Sequence, residues 1–283
     1  MGDYELIDAG GGLRLERFGN RVVQRPHAAG DDADVPRRAW PPADLVYQPH
    51  VGWRSERPLD PWRVGIDNLT LELRPTDSAQ VGLFPEHTRS WPWLEARVRE
   101  RLPRTDGQPP TVLNLFAYTG ATTLVLAAAG ASVAHVDAAR PSVAWARRNA
   151  ELSGLADRPI RWLVDDASSF VERELRRGRR YDGVVLDPPT YGHGGQRGRG
   201  RTWRLESDLD DLLAACAALV DGPAGFILLT AHTTGFGADR LGAALGGALG
   251  VADGRLEKGP LRLQATSGAN LDLGAFARWP GAP

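Results

Sequence analysis

Residues 111–137 read TVLNLFAYTGATTLVLAAAGASVAHVD, and this stretch decides the fold class of the chain. It begins with a short apolar run rich in branched residues, which is typical of a strand buried on both faces of a parallel sheet. A turn that ends at Gly120 follows, then an apolar helical segment, then a second buried strand that ends at Asp137. The stretch therefore predicts a βαβ unit.

The same alternation of strand and helix continues towards the carboxyl end of the chain. Buried strands are predicted at IRWLVD (160–165), YDGVVLD (181–187) and GFILLTA (225–231), with helices near 141–153 and 205–220 between them. Five βα units in sequence predict an α/β fold with a doubly wound, Rossmann-like sheet.

The chain has a different character before residue 85. Short runs alternate apolar and polar residues there, as in LTLELR (69–74), which is the period-two pattern of half-buried strands. We therefore expect a small β-rich N-terminal domain over residues 1–85, a candidate for substrate binding, followed by a catalytic domain over residues 86–283.

Composition excludes several classes of protein. The chain has 283 residues, 42% of them hydrophobic, with 34 basic and 35 acidic side chains, which argues against global disorder and against charge-driven binding by the whole protein. No apolar stretch approaches the roughly 18 residues of a membrane span, and MGDYELID does not resemble a secretory signal. A single cysteine and no metal-ligand spacing predict a cytoplasmic protein without a metal site.

Ligands of doubly wound sheets bind at the carboxyl ends of the strands. Gly120 could let a backbone approach a ligand there, although an ordinary βα turn would also explain it. Asp137 follows about twenty residues later, where a carboxylate can accept hydrogen bonds from two ribose hydroxyls. Asp166 ends the third strand and could accept from an adenine amino group. Capping of the next helix is the alternative for both acids.

The fourth strand ends in Asp187-Pro188-Pro189-Thr190. Two consecutive prolines fix the backbone and remove two N–H donors, so a rigid turn with outward carbonyls is predicted. Such a turn can hold a flat, amino-bearing substrate against a cofactor; a purely structural stop after the strand is the alternative.

These runs together resemble the class I S-adenosylmethionine-dependent methyltransferases. Within that class the chain is most similar to the large-subunit ribosomal RNA methyltransferases related to the cytosine-5 enzymes, over roughly Val81 to Trp279. The resemblance implies S-adenosyl-L-methionine as the cofactor and a terminal β-hairpin within residues 261–279. The G-x-G-x-x-G fingerprint of NAD enzymes is absent.

The resemblance also implies roles for particular residues. Asp187, Pro188, Pro189 and Thr190 would form the substrate edge, with Asp187 also facing the cofactor. The implied cofactor contacts are Asn114, Phe116, Ala117, Tyr118, Thr119 and Gly120 around the methionine part, Asp137 at the ribose, Asp166 and Ala167 at the adenine, and Phe84, Pro85 and Glu86 from the upstream run VGLFPEHTRSW.

The chain departs from the cytosine-5 pattern in one respect that bears on its chemistry. Cytosine-5 methylation needs a cysteine that adds covalently to the ring. Cys216, the one thiol, lies on the apolar stripe of a predicted helix and is expected in the core. Direct transfer without a cysteine nucleophile is therefore expected. The small RNA-binding N-terminal module of the family is not evident in residues 1–80.

One feature favours RNA as the substrate. Nine arginines and three acidic residues fall between Arg173 and Arg204. A Gly/Arg-rich loop over residues 192–204 could contact phosphates, and Trp203 could stack a base. A solvated loop, or a lid over a small substrate, is the alternative. His193 and His232, both near strand ends, are candidate bases.

The leading hypothesis is an S-adenosylmethionine-dependent methyltransferase that acts on RNA, ribosomal RNA in particular. A methyltransferase for a small molecule or a protein side chain would use the same cofactor site. A non-catalytic RNA-binding protein with this fold is the alternative from another class.

Overall fold

The computed structural model describes residues 2–27, 39–104, 107–192, 202–222 and 224–281. Its chain divides into two compact units. The first unit comprises Met1–Arg89 with Leu261–Leu273, and the second comprises Ser90–Pro260 with Gly274–Pro283. The sequence prediction placed the change of domain at residue 85 and did not assign residues 261–273 to the first unit.

The first unit is rich in β-structure. Its five-stranded sheet has the order β1-β2-β3-β4-β5, and β6 and β7 form a separate antiparallel hairpin. Along β7 the three leucines are buried while the polar residues between them are partly exposed, as the alternating sequence predicts. The strands are β1 (Tyr4–Gly10), β2 (Leu13–Phe18), β3 (Arg21–Pro26), β4 (Leu45–Gln48), β5 (Gly52–Arg54), β6 (Trp62–Ile66) and β7 (Leu69–Leu73).

Residues 261–273 complete one edge of the first unit. Thr266 donates its backbone N–H to Leu6 O at 2.9 Å, and the Ser267 hydroxyl donates to the carboxylate of Asp8. Leu6 and Asp8 belong to β1, the edge strand of the five-stranded sheet. An edge strand has unpaired backbone groups, so this contact protects it from pairing with another chain.

The second unit contains the predicted alternation of strands and helices. Its helices are α1 (Trp91–Arg101), α2 (Ala121–Ala128), α3 (Arg140–Leu152), α4 (Ala167–Arg176), α5 (Leu205–Leu219) and α6 (Ala238–Leu249). Its strands are β8 (Thr111–Leu115), β9 (Ser132–Asp137), β10 (Ile160–Val164), β11 (Gly183–Leu186), β12 (Tyr191–Gly192), β13 (Trp203–Arg204) and β14 (Phe226–Ala231). The hairpin of β15 (Glu257–Gln264) and β16 (Asn270–Trp279) follows, and its residues 261–273 belong to the first unit.

The main sheet has the strand order β10-β9-β8-β11-β14-β16-β15. The first five strands in this order are parallel, and β16 pairs antiparallel with β14 through residues 275–279. The chain moves outward from β8 through β9 to β10 and then returns to β11. The strand order therefore reverses between β8 and β11, where a ligand crevice is expected. The doubly wound fold and the terminal hairpin are confirmed.

The sheet is buried on both faces, as its continuous apolar strands predict. Along β11, Val184 packs into the cluster formed with α4, α5 and α6, while its neighbour Val185 packs into the cluster with α1 and α2. Cys216 lies on α5 within the first of these clusters and is fully buried, which confirms its predicted place in the core. Within the described ranges no helix combines the length and apolar character needed to cross a lipid bilayer.

Candidate cofactor and substrate site

The turn between β8 and α2 is tightly wound. Phe116, Tyr118 and Gly120 adopt positive φ angles of 54°, 49° and 84°. Ala117 donates its N–H to Val136 O at 3.1 Å, and Gly120 donates to Ala117 O at 3.0 Å. Positive φ is uncommon for aromatic residues and concentrates at functional sites. The turn brings the amino end of α2 to the crevice, where free N–H groups favour an anionic or polar ligand.

Gly120 has a packing reason that the sequence did not reveal. A Cβ atom at this position would lie 2.8 Å from the Cβ of Ala146 on α3. The φ angle of 84° independently favours glycine. The close approach of α3 thus explains Gly120, whereas the sequence pattern alone suggested the approach of a ligand or an ordinary βα turn.

A buried polar chain supports the turn from inside. Asn114 Nδ2 donates to Thr123 Oγ1 at 2.8 Å, and Thr123 Oγ1 lies 2.9 Å from Nδ1 of His135. Burial, assisted by the charge of Arg147, lowers the pKa of His135 to about 3, so the ring is neutral at physiological pH. These contacts tie β8, α2 and β9 together. The side chain of Asn114 is 4% exposed and serves this interior chain; its contact with the cofactor stays a prediction.

Asp137 lies where β9 ends, beside the turn. One carboxylate oxygen accepts from Tyr118 N and the other from Ala139 N, both at 2.8 Å. The cap position of α3 is occupied by Ala139 with no side-chain cap, so Asp137 does not cap that helix. Burial raises the pKa of Asp137, and the two backbone hydrogen bonds oppose the rise. A carboxylate has about four acceptor positions, so Asp137 retains capacity for ribose hydroxyls.

Asp166 caps a helix. Its Oδ1 accepts from Ser169 N at 2.8 Å at the start of α4, which is the alternative that the sequence left open. Oδ2 has no hydrogen-bond partner among the described residues, so it can still accept from an amino group. Ala167, the first residue of α4, is buried. Asp165, the neighbouring acid, is ion-paired with Arg173.

The structure brings Asp187 and His232 together at the carboxyl ends of β11 and β14. Nε2 of His232 lies 3.3 Å from Asp187 Oδ1, and Thr230 Oγ1 donates to the same oxygen at 2.6 Å. The side chains of His232 and Asp187 are 23% and 21% exposed, so both are partly accessible to solvent. Asp187 and His232 are separate predictions from the sequence. Thr230 is not among the predicted residues, because its place depends on the register of β14 beside β11.

Two carbonyls of the proline turn, which were predicted to point outward, accept hydrogen bonds from the protein itself. Pro189 O accepts from Trp203 Nε1 at 2.7 Å, and Thr190 O accepts from Leu205 N at 3.1 Å. Thr190 also shares a 2.7 Å hydrogen bond with the hydroxyl of Thr233. Pro188 is buried beneath the turn. The hydrogen bonds from Trp203 and Leu205 thus hold the turn against β13 and α5.

The prediction that Trp203 stacks a substrate base is wrong. Its side chain is 5% exposed and packs against Phe116 with a ring distance of 5.2 Å. Burial removes the apolar part of the indole from water, and its N–H keeps a hydrogen-bond partner in Pro189 O. The rest of the Gly/Arg-rich loop, residues 193–201 with His193, lies outside the described residues.

Phe84, Pro85 and Glu86 belong to the first unit. Phe84 stacks on His87 at 5.8 Å, Pro85 O accepts from the Thr88 hydroxyl at 2.7 Å, and Glu86 is 1% exposed. Their contacts with a cofactor stay predictions.

Cys216 has the properties of an inert thiol. It is fully buried on α5, and burial raises its pKa to about 12. A nucleophilic cysteine needs a lowered pKa and access to the substrate.

A family profile and a solved structure both relate this chain to S-adenosylmethionine-dependent methyltransferases. The sequence profile of the S-adenosylmethionine-dependent methyltransferases matches residues 44–241. The crystal structure of the SAM-dependent methyltransferase from Agrobacterium tumefaciens is similar with a TM-score of 0.86 and 34% identity, over 99% of this chain and 91% of that one.

Two curated relatives carry ribosomal names. Ribosomal RNA large subunit methyltransferase K/L of Methylococcus capsulatus is 30% identical over 169 residues, which are 59% of this chain and 21% of that protein. Ribosomal RNA large subunit methyltransferase K of Neisseria meningitidis serogroup B is 32% identical over 111 residues, 39% of this chain and 29% of that protein. The matches thus span between about a fifth and three tenths of the length of these relatives.

The cofactor of this family fits the residues at the ends of β8 and β9. Asp137 lies at the crevice with acceptor capacity remaining, as a ribose would require. The left-handed backbone of the 116–120 turn and the amino end of α2 offer polar groups beside it. Asp187 lies across the switch point on β11. This chain belongs to the S-adenosylmethionine-dependent methyltransferase family.

Proposed function

We propose that the protein methylates RNA, in the first instance ribosomal RNA, by direct transfer to a nitrogen or oxygen atom without a cysteine intermediate. The observation that carries the proposal is the contact between His232 and Asp187 at the crevice. The names of the two curated relatives support RNA as the substrate class. The single, buried cysteine and an RNA substrate both suit the cytoplasm, which we propose as the compartment.

The residues around Asp187 are arranged to accept a proton. S-Adenosylmethionine, when bound, supplies a methyl group on a sulfonium, which is already electrophilic. Nε2 of His232 lies 3.3 Å from Asp187 Oδ1, so the charge of Asp187 would stabilise an imidazolium at His232. His232 is therefore the proposed acceptor of the proton that a substrate N–H or O–H loses on methylation. Thr230 holds Asp187 in position.

Orientation is the second contribution of the protein. The two prolines fix the backbone after Asp187, and the hydrogen bonds from Trp203 and Leu205 hold the turn on α5. A fixed turn restricts the poses of a substrate, which lowers the entropic cost of alignment. The covalent route of the cytosine-5 enzymes does not suit this site, because the thiol of Cys216 is buried with a pKa near 12.

The first test is transfer of label from radiolabelled S-adenosylmethionine into total RNA stripped of modification. We expect label that nuclease removes and protease does not. His232→Gln and Asp187→Asn should lower the rate by about 100-fold or more, as loss of a general base does, while calorimetry shows that His232→Gln still binds S-adenosylmethionine. Label that only protease removes, or no label in a preparation that binds the cofactor, would overturn the RNA assignment.

A further inference from the structure

A hollow of about 500 Å³ opens in the second unit beside the proline turn. This volume is within the range of small-molecule sites and large enough for a nucleotide. Polar and apolar groups line it in similar measure, and they include one exposed ring and two cations. The residues are Thr190, Tyr191, Arg204, Leu205, Glu206, Ser207, Thr233, Thr234, Phe236 and Arg240.

The hollow lies next to the methyl-transfer site without containing it. Thr233 directly follows His232, and Thr190 is three residues beyond Asp187. The hydroxyls of the two threonines are 2.7 Å apart and form the border between the two regions. A polymer that places one unit at Asp187 would therefore place its next unit in the hollow.

Tyr191 gives the hollow a stacking surface. Its side chain is 70% exposed, and it is the one large exposed aromatic residue among the described residues. The backbone of Tyr191 is held by the short β12–β13 pairing, in which it faces Arg204. A ring fixed on a strand and left in water is suited to stack on a base.

Arg204 and Arg240 give the hollow its charge. Both are exposed, and neither guanidinium has a carboxylate partner in the described part of the chain. Arg240 is held over the ring of Phe236 at 3.6 Å, which restricts its motion. One carboxylate, Glu206, also lines the hollow, so the cations exceed the anions. Guanidinium groups of this kind bind phosphate oxygens well.

We propose that this hollow binds the nucleotide that flanks the methylated one, with its base stacked on Tyr191 and its phosphate bound by Arg204 and Arg240. The inference rests on the proposed function in RNA methylation and adds the second contact point on the strand. It also implies that a polynucleotide is a better substrate than an isolated nucleoside.

The test combines two assays. One measures binding of a fluorescein-labelled single-stranded oligouridylate at several salt concentrations, and the other measures the KM for label transfer into RNA stripped of modification. Tyr191→Ala should weaken RNA binding at least about fivefold, as loss of one base stack does, whereas Tyr191→Phe should retain binding. Arg240→Gln should reduce the slope of log affinity against log salt by about 1.

Arg158→Gln is the matched control, because Arg158 is exposed before β10, an edge strand three positions from β11 in the sheet. If the wild-type protein methylates RNA, and the Tyr191 and Arg240 variants match Arg158→Gln in RNA affinity, salt dependence and KM, the proposed subsite is wrong. The proposed function then stands. If the wild-type protein neither binds nor methylates RNA, both proposals are wrong. An unchanged calorimetric affinity of the variants for S-adenosylmethionine shows that they are folded.

Discussion

The carboxylate of Asp137 accepts a 2.8 Å hydrogen bond from the backbone N–H of Tyr118, and this bond joins the end of β9 to the turn that follows β8. One side chain thus fixes the left-handed backbone of the turn and lies at the proposed ribose position. Support for the loop and the predicted contact with the ribose therefore depend on the same group.

Asp137→Ala should therefore abolish measurable binding of S-adenosylmethionine. Asp137→Asn should weaken binding by about tenfold or more, because a hydrogen bond to a charged group contributes about 1.5–3 kcal/mol. Isothermal titration calorimetry measures both affinities. Asp157→Ala is the control, since Asp157 is exposed in the loop before β10. Unchanged affinity of Asp137→Ala would remove Asp137 from the cofactor site.

Acid should destabilise the protein through His135. Its folded pKa of about 3 lies below the value of 6.5 for a free histidine, so the unfolded state binds more protons between these values. The stability that the neutral ring contributes is complete above about pH 6.5 and falls as the pH is lowered towards 3. At pH 5.5 the loss should be about 1.4 kcal/mol.

Urea unfolding at pH 7.5 and pH 5.5 measures this loss. His135→Gln should remove most of the difference between the two pH values, although the variant is less stable at both. His50→Asn, a change at an exposed turn residue, should leave the difference intact. An equal pH dependence in the wild-type and His135→Gln proteins would contradict the assignment.

Gly120→Ala should destabilise the second unit by about 2–5 kcal/mol, the sum of a left-handed backbone and an overpacked contact with Ala146. Gly178 provides the matched control, because it also has a positive φ, of 65°, but a Cβ atom there would meet nothing within 4 Å. Chemical denaturation of the two alanine variants separates the contact from the backbone effect. Equal losses of stability in the two variants would show that the contact with Ala146 on α3 does not destabilise Gly120→Ala.

Cys216→Ala should retain full methyl transfer, measured by label incorporation per mole of folded protein. The smaller side chain should reduce stability modestly, since it leaves a small cavity beside α5. The folded wild-type protein should also resist alkylation by iodoacetamide at pH 8, because its thiol is buried with a raised pKa. Loss of activity in a folded Cys216→Ala protein would contradict direct transfer and support a covalent mechanism through this cysteine.

The sequence was sufficient to predict the order of strands and helices in the second unit, since buried parallel strands have a strong local pattern. It also placed Asp187 and His232 near strand ends. It did not place Thr230 on Asp187, because that contact depends on the register between β11 and β14. Long-range register leaves no signal in a single sequence.

Two residues show why local patterns mislead. Trp203 lies in an arginine-rich stretch and was predicted at the surface, yet its ring is buried on Phe116. Gly120 has the pattern of a ligand-binding turn, but its nearest constraint is Ala146 on another helix. In both cases the partner that determines the environment is distant in sequence.

The hydrogen bonds from Thr266 and Ser267 to β1 also have a consequence for synthesis of the protein. During synthesis, β1 is made more than two hundred residues before its partners at 266–267. Throughout that interval the nascent chain carries an uncovered strand edge. We therefore expect a truncation that ends before residue 261 to leave β1 open to pairing with other chains, and to aggregate during translation more readily than the longer protein.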